Sequence, residues 1–233
     1  IPAMVAAADR VGDFSLLDQD GFHHGMSWYD DHKAIVFLVQ ENDNQAVAGA
    51  MGAYSDLKLK YEDSGIEFMM INPMGRHNRE AVQSQVAEYG VEIPVLMDDA
   101  RIISESLGIE RAGEVLLFDP RRFTVEYRGP VESADKAIRQ MLAGEEILPS
   151  ATATTGPIIS YPMKESPSYV SDVAPILAEQ CATCHREGGV APFAMDSHTM
   201  VQGWSPMIRE VLLTRRMPPG PVSYTHLTLP TKA

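Results

Sequence analysis

The sequence predicts an α/β domain followed by a small, mainly helical unit. Three observations carry the prediction. Compact apolar runs alternate with helix-period stretches over residues 1–145, a Pro/Ser/Thr-rich segment interrupts at 146–168, and a shorter stretch at 169–220 holds both cysteines of the 233-residue chain. Alternation of strand-like and helix-like segments places helices on the faces of a central mixed sheet.

The elements follow in order. Val11–Asp20 reads as a short strand running into an Asp/Gly turn. Ala34-Ile-Val-Phe-Leu-Val39 is an unbroken apolar run, the pattern of a strand buried on both faces. Ala46, Met51, Tyr54, Leu57 and Tyr61 form an apolar stripe that predicts a helix over 45–62. Ile66–Ile71 is the next strand, Asn78–Tyr89 a helix stopped by Gly90, and Ile93–Met97 a short extended piece. A helical stretch at Ile102–Leu107 ends near Gly108. Val115–Phe118 and Thr124–Tyr127 are strands around a turn containing Asp119 and Pro120, and Ser133–Leu142 closes the domain as a helix.

Pro149, Pro157, Pro162 and Pro167, interleaved with Ser, Thr and Ala, mark a linker or a loosely packed connection. Beyond it, Val173-Ala-Pro-Ile-Leu177 has helical spacing, and Ser205–Leu213 reads as a helix that Pro218 and Pro219 end. A unit of about fifty residues needs a staple, a metal or a cofactor to be stable alone. The last stretch, 221–233, matches neither unit and reads as a non-native or flexible tail, in which His226 carries no meaning.

Acidic residues number 32 against 19 basic, a net charge of −13, which makes nucleic acid a poor partner. The charge is uneven: from Cys181 onward there are five basic and three acidic residues, so an acidic body is joined to a slightly basic end. No apolar run reaches the roughly 18 residues a membrane span needs. His23, His24, His32 and His77 stand in polar surroundings and read as solvated surface, while Asp30-Asp31 and Asp98-Asp99 read as turn or cap acids.

The two cysteines, Cys181 and Cys184, stand three apart with His185 next. Cys-Ala-Thr-Cys-His matches the pattern of c-type haem attachment, in which each thiol adds to a porphyrin vinyl group and the histidine supplies a proximal iron ligand. The expected cofactor is therefore one covalent haem c, held by Cys181 and Cys184, with iron bound by His185. Met217, stiffened by the following prolines, is the expected distal ligand, with His198 next in line. A mobile dithiol, a zinc site short of a fourth ligand, and a structural disulfide are the other readings of the pair.

Residues 11–143 resemble the thioredoxin-like redoxins, the fold of peroxiredoxins and thiol-disulfide oxidoreductases. Val11–Gly21, Ala34–Val39, Gly65–Asn72 and Gly108–Asp119 carry the likeness. The resemblance implies a reactive cysteine after the Ala34–Val39 strand and a cis proline opening a later strand. This sequence has Gln40-Glu-Asn-Asp-Asn-Gln45 and Ala112-Gly113 there. The C-terminal part is similar to cytochrome c-like domains of bacterial proteins that also carry a copper type II, ascorbate-dependent monooxygenase domain. Val173–Leu177, Cys181–Phe193, Trp204–Ile208 and Arg216–Pro219 carry that likeness. It implies a haem that passes single electrons to or from a redox partner protein or a downstream copper domain, in the periplasm or another extracytoplasmic place. The expected function is thus an electron carrier rather than a self-contained enzyme. The alternatives are a thiol-disulfide oxidoreductase or peroxiredoxin-like enzyme using Cys181 and Cys184, and a non-catalytic redoxin-fold binding module.

Overall fold

An unbroken apolar run must be covered on both faces, and β3 (Ala34–Val39) is: all six of its residues are buried. It lies inside a seven-stranded sheet of order β2-β1-β5-β4-β3-β6-β7. The computed structural model describes residues 10–73, 79–161 and 167–217. β3 pairs in parallel with β4 (Ile66–Asn72), and β4 in parallel with β5 (Val95–Met97). On its other side β3 pairs antiparallel with β6 (Val115–Asp119), which pairs with β7 (Thr124–Gly129). β1 (Ser15–Asp18) joins β5 antiparallel and carries β2 (His23–Gly25) at the sheet edge.

Helix α1 (Gln45–Tyr61) starts where Asn44 accepts hydrogen bonds from Ala46 N–H (2.9 Å) and Val47 N–H (3.4 Å). Its buried residues, Val47, Ala50, Met51, Tyr54, Leu57 and Tyr61, recur every three or four positions and pack on the sheet. The Tyr54 hydroxyl lies 2.8 Å from Val36 O and 2.6 Å from Met69 O, so α1 is tied to β3 and β4 at one buried point. α2 (Arg79–Tyr89) and α4 (Val131–Ala143) add Val82, Val86, Ala134, Ala137 and Ile138 to the same core. Gly144 ends α4 in a left-handed conformation at φ 70°. Elsewhere Phe118 packs against Phe14 and Phe37, with ring centroids 5.8 and 5.9 Å apart. α3 (Ile102–Ser106) is a single short turn of helix.

The elements expected of residues 11–143 are present, with ends shifted by a few residues. The hairpin strand β2 and the 3-10 turn Met26–Tyr29 were not expected. The polar His23-His24 pair hides a strand because its partner contacts are local to the edge. His24 is largely buried, with Nδ1 2.8 Å from the Tyr29 hydroxyl and Nε2 2.9 Å from Asp18 Oδ2, which corrects its reading as solvated surface. Burial alone would raise the Asp18 pKa, but hydrogen bonds from His24 and from the Phe22 N–H hold it below the ordinary carboxylate value. His32 is held beside Asp31 at 2.8 Å. His77 lies outside the described residues.

The chain divides into two compact units at Tyr161/Pro162. In the second, α5 (Ala174–Gln180) carries a proline in its first turn, where the missing N–H is harmless. α6 (His198–Leu213) begins earlier than expected, capped by Ser197, and runs through Gly203 and Pro206. Among the described residues 167–217 no apolar side chain is buried; only His185 and Thr214 are. These residues do not build a separate cytochrome c-like lobe around a core of their own, and that part of the expected fold class is corrected.

Candidate thiol site

Cys181 stands at the C-terminal end of α5, its N–H donating to Leu177 O at 3.0 Å. The chain then turns. Cys184 N–H donates to Cys181 O at 3.1 Å and His185 N–H to the same oxygen at 2.9 Å. A four-residue turn closed this way keeps its end Cα atoms within about 7 Å, which overlaps the range a disulfide spans. Both cysteines are free; Cys181 is half-buried and Cys184 exposed. Burial pushes the Cys181 thiol pKa up.

The loop after the pair folds back on it. Ala191 N–H donates to Cys184 O at 3.2 Å, and Met195 N–H to His185 O at 2.9 Å. Gly189 comes so close that a Cβ there would overlap the Cys184 carbonyl oxygen, so glycine is required for the loop to close. His185 is buried, its Nδ1 donates to Phe193 O at 3.0 Å, and its ring packs on Phe193 at 4.7 Å. Phe193 in turn stacks on Trp204 at 4.7 Å. His198 starts α6 with its ring edge-on to Tyr169 at 4.4 Å. Met217 follows α6, its side chain exposed and its N–H on Val211 O at 3.1 Å. The structure thus brings Cys181, Cys184 and His185 into one turn and leaves Met217 after the last helix. The tail at 221–233, with His226, lies outside the described residues.

The redoxin position after β3 holds no sulfur but a closed set of amides. Gln40, just after β3, and Asn72, the last residue of the adjacent β4, are both fully buried, and the Asn72 amide donates to Gln40 Oε1. Gln40 Nε2 donates to Asn42 and to Gln85, each at 2.9 Å. Glu114, at the start of β6, is buried and its pKa is raised by that burial. The Asp98 carboxylate is buried as well and accepts from Ser104 N–H, in the first turn of α3, at 2.6 Å; its desolvation raises its pKa.

Comparison with known proteins places the chain. The AhpC/TSA family matches residues 7–134, and the chain belongs to that family. A hypothetical protein of Sinorhizobium meliloti is similar in structure, with TM-score 0.60 and 19% identity over 69% of this chain and 97% of that one. An uncharacterized conserved protein of Geobacillus kaustophilus gives 0.57 and 19% over 70% and 96%. A putative thiol:disulfide interchange protein of Chlorobium tepidum gives 0.51 and 15% over 59% and 99%. No curated protein matches.

These findings correct the reading of the Cys-Ala-Thr-Cys-His segment. They support one thioredoxin-like α/β fold for the first unit, and none of them brings in a cytochrome or a monooxygenase. Among the described residues, no three His, Cys, Asp or Glu side chains gather into a metal-holding group. The expected fused cytochrome domain, the haem c cofactor and the electron-carrier function are therefore corrected. The physical reason is that the Cys-x-x-Cys part of the string also serves thiol redox chemistry. Here the His185 imidazole is packed on Phe193, which stacks on Trp204, and the first unit of the chain belongs to the AhpC/TSA family. The cysteines themselves lie outside the matched span of 7–134. Among the described residues no helix is long and apolar enough to cross a membrane.

Proposed function

We propose that the protein is a thiol-disulfide oxidoreductase of the peroxiredoxin-like class whose working dithiol is Cys181 and Cys184. One observation carries the reading. The only two thiols of a chain in this family sit at the ends of a single hydrogen-bonded turn, one exposed and one half-buried. The asymmetry assigns roles. Exposed Cys184, as thiolate, attacks one sulfur of a substrate disulfide and expels the other sulfur as a thiolate, which takes up a proton. Cys181, whose thiol is held protonated by burial, then loses its proton and attacks the Cys184 sulfur. The second substrate thiolate leaves, and a Cys181–Cys184 disulfide remains. Two electrons pass from the dithiol to the substrate disulfide, and an external dithiol donor resets the site.

Its partners in this reading are a disulfide-bearing protein and a redox protein that regenerates the dithiol. An extracytoplasmic setting such as the periplasm fits, because disulfides persist there. The test is reduction of a protein disulfide, followed by insulin precipitation with dithiothreitol as donor. Wild type accelerates it, Cys184→Ser abolishes the acceleration, and Cys181→Ser accumulates a mixed disulfide through Cys184 visible by intact mass. A wild-type rate equal to that of the Cys184→Ser variant refutes the proposal.

A further inference from the structure

The segment that composition marks as a linker is pinned to the domain over residues 150–161. Arg128 N–H donates to Ser150 O at 3.0 Å and Thr152 N–H donates back to Arg128 O at 2.9 Å, a parallel pairing on the outer edge of β7. Further along, Ala112 N–H donates to Pro157 O at 3.0 Å and Ile159 N–H to Glu110 O at 2.8 Å, an antiparallel pairing on the loop before β6. Side chains add three ties: Arg111 to Gly156 O at 2.8 Å, Arg101 to Ser160 O at 3.0 Å, and the Tyr161 hydroxyl to Ile109 O at 2.8 Å. Gly156 sits where a Cβ would overlap the Ala112 carbonyl oxygen and come within 3.6 Å of Ala46, at the start of α1. The segment therefore runs over the end of the domain where the amide cluster of Gln40 and Asn72 closes β3 and β4.

Hydrogen bonds rather than apolar burial hold it, four from main chain to main chain and three from side chains. Ile159 is its only buried apolar side chain, whereas Ile158 is 72% exposed. The Thr154 hydroxyl is buried without a hydrogen-bond partner, a misfit that weakens the seat. A stretch with many backbone hydrogen bonds and little buried apolar surface opens locally, well below the free energy of global unfolding. When it opens, it leaves main-chain donors and acceptors on the edge strand β7 and on the loop before β6, which are a template for an added extended chain.

We propose that residues 150–161 form a releasable strap, an intrachain strand that covers an extended-peptide groove along β7 and residues 110–112 and can lift off as one piece. In the open form an extended peptide takes its place by the same main-chain pairing. The proposal is independent of the thiol chemistry and holds whether or not Cys181 and Cys184 cycle.

Hydrogen exchange on the full-length protein tests it, with a fluorescent peptide of the strap's own sequence, Ser150–Tyr161, as the probe. In wild type the amides of Ala112, Arg128, Thr152 and Ile159 exchange together, at least tenfold faster than those of β3 and β4. In Gly156→Val that group loses protection by a further tenfold or more while β3 and β4 keep theirs, and the variant binds the peptide by fluorescence anisotropy where wild type does not. Arg111→Ala, which removes one tie and no close packing, shifts the same amides in the same direction by a smaller factor and covers the case in which Gly156→Val fails to fold. Exchange of the strap amides at the rate of β3 and β4 in wild type and Arg111→Ala overturns the proposal. So does a strap-released variant that fails to bind the peptide.

Discussion

The two units of this chain solve opposite problems. Residues 10–161 bury a continuous apolar core between a seven-stranded sheet and α1, α2 and α4, yet contain no thiol. Residues 167–217 hold both thiols, and their described apolar side chains are all at least partly exposed. The comparison teaches that family membership and the seat of reactivity need not coincide. The match to AhpC/TSA rests on the first unit, while both thiols lie in the second. A buried core fixes side chains, whereas an exposed turn gives substrate access to a sulfur and lets two cysteines approach and separate.

Truncating a core aromatic should mark the contrast most strongly. Phe118→Ala removes a fully buried ring packed on Phe14 and Phe37, and is expected to lower stability by about 3–5 kcal/mol in a denaturant titration followed by circular dichroism. Trp204→Ala, on the exposed stack with Phe193, should change the same transition by no more than about 1.5 kcal/mol. Equal losses would erase the distinction between the units. A smaller effect is expected from Tyr54→Phe, which deprives the buried Val36 and Met69 carbonyls of their shared hydroxyl, at about 1–2 kcal/mol in the same titration.

The smallest effect is pH-dependent and confined to the β1–β2 hairpin. The folded Asp18 pKa lies below 3.8, so in that range the folded state binds fewer protons than the unfolded one. Its contribution is fully present above pH 3.8 and is lost as pH falls through the folded value. Asp18→Asn should therefore be less stable than wild type at neutral pH, with the two midpoints converging in acid. A constant gap down to pH 2 would assign the loss to packing instead; this requires the carboxylate to have no electrostatic role.

Much of the first unit was legible because its signals are local. The apolar runs at Ala34–Val39, Ile66–Ile71 and Val115–Phe118 admit little but buried strands, and the stripe of Ala46, Met51, Tyr54, Leu57 and Tyr61 only a helix. The edge hairpin at His23–Gly25 escaped notice because polar residues and three-residue length leave no periodicity to read. The strap at 150–161 escaped for another reason. Its partners, Arg128 and residues 110–112, lie tens of residues away and pair with it largely through backbone, which no side-chain pattern records. For the thiol site, the residues were legible and their chemistry was not. Cys181, Cys184 and His185 stand out at once, but the spacing that sets two sulfurs on a porphyrin also closes a four-residue turn.

The central claim is that Cys181 and Cys184 form one reversible two-electron couple. Equilibration of the full chain in glutathione buffers of graded potential, acid quench and intact-mass analysis measure it directly. The account predicts a single transition in which the protein loses two hydrogens and both thiols disappear together, with Cys181→Ser and Cys184→Ser each unable to undergo it. Two thiols that remain free across the whole range, or that take up glutathione independently of each other, would contradict it.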